Sequence, residues 1–459
     1  MIRFGTDGWR AVIGDEFTFA NVRRVARAHA EVLKEKGLRS VVVGYDYRFA
    51  SEDFASEVCS VLAGEGLEVA LSESACTTPM VSFGVRYLNF DGGVMITASH
   101  NPPRYNGYKI KESFGGSATP EFVREVESRI PPESLQVRGK GDVGRVDLRT
   151  PYVNKAREWI ETELFREKTL RVVHDAMFGT SAGLFGEVLR GTKAEVIAIR
   201  SYRDPLFGGH APEPVEKHLR ILMEKVRACE ADVGIANDGD GDRISLVDER
   251  GVFINTQLVF VLLLIHLLKH RKMKDGIVVK TVSTTYLADR VCRSEGIELR
   301  EVPVGFKNIN ELILREKVLF GGEESGGYGI PEYLPERDGL VSGLLILELM
   351  ALTGRKLSEI VEDVFRTYGS AYYRRTDLPA DDRLKERLKD LIKNPPHRLG
   401  GRKIAGINTS DGLKLIFEDE SWLLFRASGT EPLIRVYAEA PSQKELDSLL
   451  TSGAELLKV

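Results

Sequence analysis

Asp238, Asp240 and Asp242 alternate with Gly239 and Gly241 and run directly into Arg243. Three carboxylates this close repel one another unless a cation sits between them, and the intervening glycines let the backbone fold tightly enough for all three to face one point. Hard oxygen ligands of this kind select magnesium or calcium over softer metals. With Glu249, the three aspartates fall at positions 1, 3, 5 and 12 of a helix–loop–helix calcium site. That site needs glycine at its sixth position, which here is Arg243, and strand-like apolar runs flank the turn where helices would be required. A solvated acidic turn is the other reading; the regular glycine spacing favours a metal-binding turn.

Three further segments carry chemically useful residues. Thr97 to Pro103 places Ser99 beside His100 and within reach of Lys109. Ser99 is therefore either a covalent phosphoryl carrier or one hydroxyl of an ordinary turn. The glycines that flank a hydrolase serine in G-x-S-x-G are absent. Gly321 to Gly327 offers Glu323, Glu324 and Ser325, partners suited to sugar hydroxyls, although a surface turn would look the same. Arg426 to Arg435 brackets Ser428, Gly429 and Thr430 with two guanidiniums, a cradle for phosphate or else a plain hairpin turn. It is not the G-x-x-x-x-G-K-[ST] loop of nucleotide-binding proteins. Together, a metal turn, a phosphoryl carrier, a hydroxyl-reading turn and a phosphate clamp describe phosphoryl transfer to and from a sugar phosphate.

These turns need a scaffold. An amphipathic pattern from Glu16 to Lys36 predicts a helix, Val41–Val43 a buried strand, Phe54 to Gly66 a second helix and Glu68–Leu71 another short strand. Helices alternating with short apolar strands predict mainly parallel sheets covered on both faces. The rhythm recurs from Leu170 to Val247 and from Phe253 to Phe320, with polar stretches at 130–150 and 246–251 between blocks. After Tyr368, a charged helix (Asp381 to Lys393) leads into three strands with short turns, as in a small α+β domain. The expectation is three α/β domains with mixed, mainly parallel sheets over 1–147, 148–250 and 251–368, and a smaller α+β domain over 369–459, arranged around one cleft. In each α/β block an apolar strand runs straight into a chemically loaded turn, and ligands of open α/β sheets bind beyond the carboxyl ends of strands.

Composition narrows the class. A chain of 459 residues, 42% hydrophobic and 29% charged, can bury several cores. A net charge of −4 argues against a dedicated nucleic-acid or membrane-surface binder. Cys59, Cys76, Cys229 and Cys292 are far apart and make neither a zinc nor a disulfide pattern. The first residues lack the apolar core of a signal peptide, and the apolar run Leu258 to Leu268 is too short to span a bilayer, so a buried helix and a cytoplasmic location are expected.

The segments TASHNPPRYNGYK (97–109), DGDGDR (238–243), GEES (322–325) and RASGTEPLIR (426–435) together resemble, in order, the four signature loops of the α-D-phosphohexomutase family, and FGTDGWR (4–10) also fits. The resemblance implies four domains around one cleft and Ser99 as a phosphoserine. Asp238, Asp240 and Asp242 would hold Mg2+ together with the phosphoryl oxygen on Ser99. It also implies Arg10, Lys109 and Arg243 at the reaction centre, with His100 and Lys109 as candidate proton carriers. Substrate contacts would come from Lys280, Gly305, Lys307, Glu323 and Ser325, and the non-reacting phosphate would sit on Arg426, Ser428, Gly429, Thr430 and Arg435. Hexose phosphates would be the partners, a hexose 1,6-bisphosphate the primer, and a monomer or homodimer the assembly. Gly305-Phe306-Lys307 where many phosphomannomutases have Gly-His, and GEES where they have GEMS and phosphoglucosamine mutases GEQS, lean towards glucose phosphates without excluding mannose. A phosphoglucosamine mutase is the alternative within the family. Outside it stand a sugar phosphatase, a non-catalytic Ca2+ or sugar-phosphate binding module, and an inactive scaffold.

Overall fold

The computed structural model describes residues 2–133, 141–427 and 432–457. Its first sheet runs, edge to edge, Trp9–Val12, Tyr105–Glu112, Gly92–Ile96, Ser40–Tyr45, Glu68–Ser72 and Val143–Val146. Pairings from Gly92–Ile96 to Val143–Val146 are parallel; the two on the other side are antiparallel. The second sheet orders Phe253–Ile254, Ile244–Asp248, Val233–Asn237, Arg171–Asp175 and Glu195–Ile199, and the third Leu299–Val302, Ile277–Thr281, Val318–Gly322, Tyr328–Ile330 and Leu334–Arg337. Both are parallel on one side and antiparallel on the other. The fourth sheet, from Tyr372–Pro379 to Arg398–Leu399, is antiparallel throughout.

One device repeats in the first three sheets. A strand with a parallel neighbour (Gly92–Ile96, Val233–Asn237 or Val318–Gly322) turns at its carboxyl end and returns as an antiparallel partner, Tyr105–Glu112, Ile244–Asp248 or Tyr328–Ile330. The three loaded segments are those turns. Parallel strands alone would have sent the chain away through a helix; the hairpin return keeps both ends of each turn fixed to the sheet.

Helix ends follow local capping. The first helix is Phe19–Glu35, not 16–36, because the Thr18 hydroxyl accepts from the Asn21 N–H and fixes the start. The second begins early, at Ser51. The stretch 246–251, linker-like in sequence, instead completes the strand Ile244–Asp248, and Phe253–Ile254 pairs onto the same sheet. The apolar run from Leu258 is α-helical over Thr256–Ile265 and continues as a π-turn at His266–His270. Among the described residues, no helix is long and apolar enough to cross a membrane.

The helix Gly339–Thr353 is buried on every face from Gly339 to Ala351. A helix apolar all round belongs inside a core, and this one packs against two strands of the second sheet, Val233–Asn237 and Ile244–Asp248, and against the helix Thr256–Ile265 of the third domain. Its one buried charge, Glu348, accepts from His266 Nε2 at 2.8 Å, Arg271 Nε and Nη2 at 2.7 Å each and the Glu161 N–H at 2.9 Å. His266 opens that π-turn and Arg271 follows it, so both ends of the turn are tied to Glu348. Removing one partner of such a buried cluster costs about 3–5 kcal/mol. Glu348→Ala is therefore expected to lower the unfolding free energy by that amount, measured by equilibrium denaturation, while the variant that remains folded keeps its activity.

Candidate active site

Ser99 is fully buried and adopts φ 52°, a left-handed conformation uncommon for a residue with a side chain. Such strain persists only where surroundings over-determine it, and here the agent is Arg48. This buried guanidinium donates to the carbonyls of Ser99 (2.6 Å), Asn101 (2.7 Å), Pro102 (3.0 Å) and Tyr105 (3.0 Å). Asp46 anchors the other side, accepting from the hydroxyls of Thr97 at 2.6 Å and Ser51 at 2.7 Å. Held this way, Ser99 Oγ donates to Asp238 Oδ2 at 2.7 Å and lies 3.3 Å from His100 Nδ1. Burial, then the cations Arg243, Arg10, Lys109 and Arg48, hold the His100 imidazole well below its usual pKa, so the ring is neutral.

The aspartate turn meets Ser99 directly. A Cβ on Gly239 would stand 2.7 Å from the Ser99 carbonyl, so no other residue fits there. Suitable carboxylate atoms of Asp238, Asp240 and Asp242 lie within 4.8 Å of one another. Asp240 Oδ2 accepts from Thr78 Oγ1 (2.6 Å) and Lys109 Nζ (2.8 Å). Lys109 also reaches Asp242 Oδ2 at 3.0 Å and Asp7 Oδ2 at 2.8 Å. Arg337 Nη2 pairs with Asp242 Oδ2 at 2.8 Å and with Asp7. Burial would depress the Lys109 ammonium, but Asp240, Asp242 and Asp7 outweigh it and raise its pKa. Burial and the two neighbouring carboxylates push Asp238 well above its ordinary value. Burial also pushes Asp240 upward, but Lys109 and its hydrogen bonds bring it below the usual range.

The residues present fit a hard divalent cation. Within the described residues Asp240 Oδ1 and Asp242 Oδ1 are buried and make no hydrogen bond, and buried carboxylate oxygens demand a partner. The turn is braced from the third domain: the Gly339 N–H donates to the Gly241 carbonyl at 3.1 Å, and a Cβ on Gly339 would come within 2.6 Å of the Arg243 carbonyl.

The turn at 321–327 lies alongside. Glu323 is buried 3.4 Å from Arg337 Nη1, and burial lifts it to about 7 against the pull of Arg337. Ser325 Oγ is buried without a hydrogen-bond partner within the described residues. Arg10 Nη1 donates to Asn101 Oδ1 at 2.8 Å, and the Arg243 N–H to Asp238 Oδ1 at 3.1 Å. Gly305, at φ 123°, abuts Thr6, and Lys307 shares a cavity with residues 4–8 and the helix Pro120–Ser128. The buried Lys280 ammonium pairs with Asp289 and Glu301, and Glu301 also binds Lys414 at the junction of the third and fourth domains. Arg426 pairs with Asp411, which also accepts from the Val304 N–H at 2.9 Å; Arg435 lies on Leu433–Ala440, opposite Arg426 in register. Ser428, Gly429 and Thr430 lie outside the described residues.

The Glu324 carboxylate accepts from Ser283 Oγ at 2.7 Å, and Phe306 is buried with the Arg337 guanidinium 5.5 Å over its ring. Asp7, Arg48, Thr78 and Arg337 were not singled out from sequence. Only Asp7 carried a signal, since it lies within the FGTDGWR segment.

Four family models match the chain: phosphoglucomutase/phosphomannomutase alpha/beta/alpha domain I over residues 1–136, domain II over 150–251, domain III over 256–368, and the C-terminal domain over 374–455. The chain is 32% identical to a phosphoglucomutase/phosphomannomutase of Thermococcus kodakarensis, covering 99% of this chain and 98% of that one. It is 33% identical to a "probable phosphoglucosamine mutase" of Pyrococcus abyssi, covering 99% and 97%. A crystal structure from Thermus thermophilus that bears a phosphomannomutase name superimposes with a TM-score of 0.89 at 37% identity, covering 100% and 99%. The chain belongs to the phosphoglucomutase/phosphomannomutase family of α-D-phosphohexomutases, and is an enzyme of the phosphoryl-transferring mutase class.

A carboxylate held near pH 7 gives a readable consequence. As pH rises through about 7, Glu323 ionises and becomes a pure acceptor for hydroxyl donors. The KM for a hexose phosphate is expected to fall across that interval, and Glu323→Gln should flatten the step in steady-state kinetics.

Proposed function

We propose that this enzyme interconverts hexose 1-phosphates and hexose 6-phosphates through a phosphorylated Ser99 and a hexose 1,6-bisphosphate, with Mg2+ held by Asp238, Asp240 and Asp242. The observation that carries this reading is the hydrogen bond from Ser99 Oγ to Asp238 Oδ2 at 2.7 Å, inside a buried ring of cations. A divalent ion at that turn would neutralise charge on the transferring group.

The chain's own groups do the remaining work. A phosphoserine carries about −1.5 to −2 charge, and Lys109, Arg10 and Arg243 offset it so that a second phosphate can approach. Lys109, with its raised pKa and three carboxylate partners, is suited to hold charge; neutral His100 is the better proton acceptor near Ser99. Glu323 and Ser325 read hydroxyls, and Arg426 and Arg435 receive the phosphate that is not reacting. After the first transfer the bisphosphate turns end for end and returns a phosphoryl group to Ser99, which requires the clamp to accept either phosphate. A cytoplasmic site of action belongs to the same reading.

Glucose and mannose phosphates are the first substrates to test. Glucosamine phosphate is a second reading, favoured by the names of relatives. Side-by-side assays of the three 1-phosphates, each primed with its bisphosphate, separate them; the substrate with the highest kcat/KM is the physiological class. In those assays Ser99→Ala should lose at least about 1000-fold in kcat, the scale of losing a covalent nucleophile, with an unchanged melting temperature. Intact mass and peptide mapping of the purified wild type should place one phosphate on Ser99. Near-normal turnover by the alanine variant would refute the scheme, and free phosphate as the main product would identify a phosphatase.

A further inference from the structure

The Arg337 side chain touches all three α/β domains at the centre. It is buried, and its guanidinium pairs with Asp7 of the first domain, Asp242 of the second (2.8 Å) and Glu323 of the third (3.4 Å). Its Nε lies 3.5 Å from Glu336 Oε1, and the ring of Phe306 supports its face with a 5.5 Å separation. Glu336 is itself fixed by Lys111 and by Ser117 Oγ at 2.9 Å. Nη2 is thus shared between Asp7 and Asp242, Nη1 faces Glu323, and Nε makes no hydrogen bond within the described residues. An arginine can span two carboxylates at once in fixed geometry; a lysine ammonium is a single point.

We propose that Arg337 is a positioning residue that fixes Asp242 of the metal-binding turn against Glu323 of the sugar-reading turn, so that divalent-ion binding and sugar binding each alter the other. This coupling rests on the assignment of the aspartate turn to a divalent ion. A hydroxyl that engages Glu323 draws that carboxylate from the fork and shifts the fork towards Asp242. By linkage, whatever the sugar does to metal affinity, the metal does to sugar affinity.

The test is direct Mn2+ binding, read by electron paramagnetic resonance on dephosphorylated protein, with no turnover involved. Wild type, Glu323→Gln, Arg337→Lys and the double variant are titrated, each with and without glucose 1-phosphate. Coupled neighbours differ from additivity by about 0.5–3 kcal/mol, or roughly twofold and upward. Glu323→Gln, although it removes no metal ligand, is expected to raise the Mn2+ Kd about threefold on that scale in the wild-type background. In the Arg337→Lys background the same change should have no effect, and glucose 1-phosphate should cease to shift the Mn2+ Kd. Equal effects of Glu323→Gln in both backgrounds, or none in either, overturn the coupling. Should Arg337→Lys fail to fold, the single variant decides: an unaltered Mn2+ Kd in Glu323→Gln overturns the proposal. Asp240→Asn separates the two levels. If it binds Mn2+ as tightly as wild type, the metal assignment itself falls and the coupling with it; if it loses Mn2+ while the cycle is additive, only the coupling falls.

Discussion

Everything at the centre of this molecule depends on compensating buried negative charge. Asp7, Asp238, Asp240 and Asp242 converge with Ser99 in a volume almost closed to solvent, where unpaired carboxylates would cost several kcal/mol each. Lys109 and Arg337 supply the compensation from within, each bridging carboxylates that come from different domains. The arrangement is incomplete by design: two aspartate oxygens keep no hydrogen-bond partner within the described residues, and that deficit is what a divalent ion would fill.

The same requirement explains the domain arrangement. No single α/β unit could gather this many opposed charges at one sheet end, but three hairpin turns at the carboxyl ends of three strands can. The apolar helix Gly339–Thr353 fixes the second domain against the third, and one continuous core runs from Val42 and Met80 of the first domain into both. Rigidity there allows Ser99 to stand in a strained conformation without relaxing, because Arg48 and Asp46 bind the turn from below.

Much of the site was legible in the sequence because its key residues are local: alternating aspartates, and a serine next to a histidine, announce themselves within a few positions. Arg48, Thr78 and Arg337 did not, since their meaning arises only when segments 51, 162 and 95 residues away are brought beside them. Lys280 is legible as a lysine on a strand, but its ion pairs with Asp289 and Glu301 are not, because side chains alternate between faces and the sequence does not say which face meets which carboxylate. Phe306 and Glu324 were visible as departures, yet their packing against Arg337 and Ser283 was not. The hairpin returns were hidden too, since an antiparallel partner such as Ile244–Asp248 is buried at every position, as a parallel strand is, and shows no inside–outside alternation.

The Gly339 N–H donates to the Gly241 carbonyl. It sets the amino end of a long helix, buried from Gly339 to Ala351, against the acidic turn, and such an end bears about half a positive elementary charge from aligned peptide dipoles. Unlike lysine, arginine or a dissociable ion, this contribution cannot lose a proton, exchange with solvent or be chelated away. The protein thereby owns a permanent fraction of its counter-charge, written into the backbone and out of reach of alkaline pH.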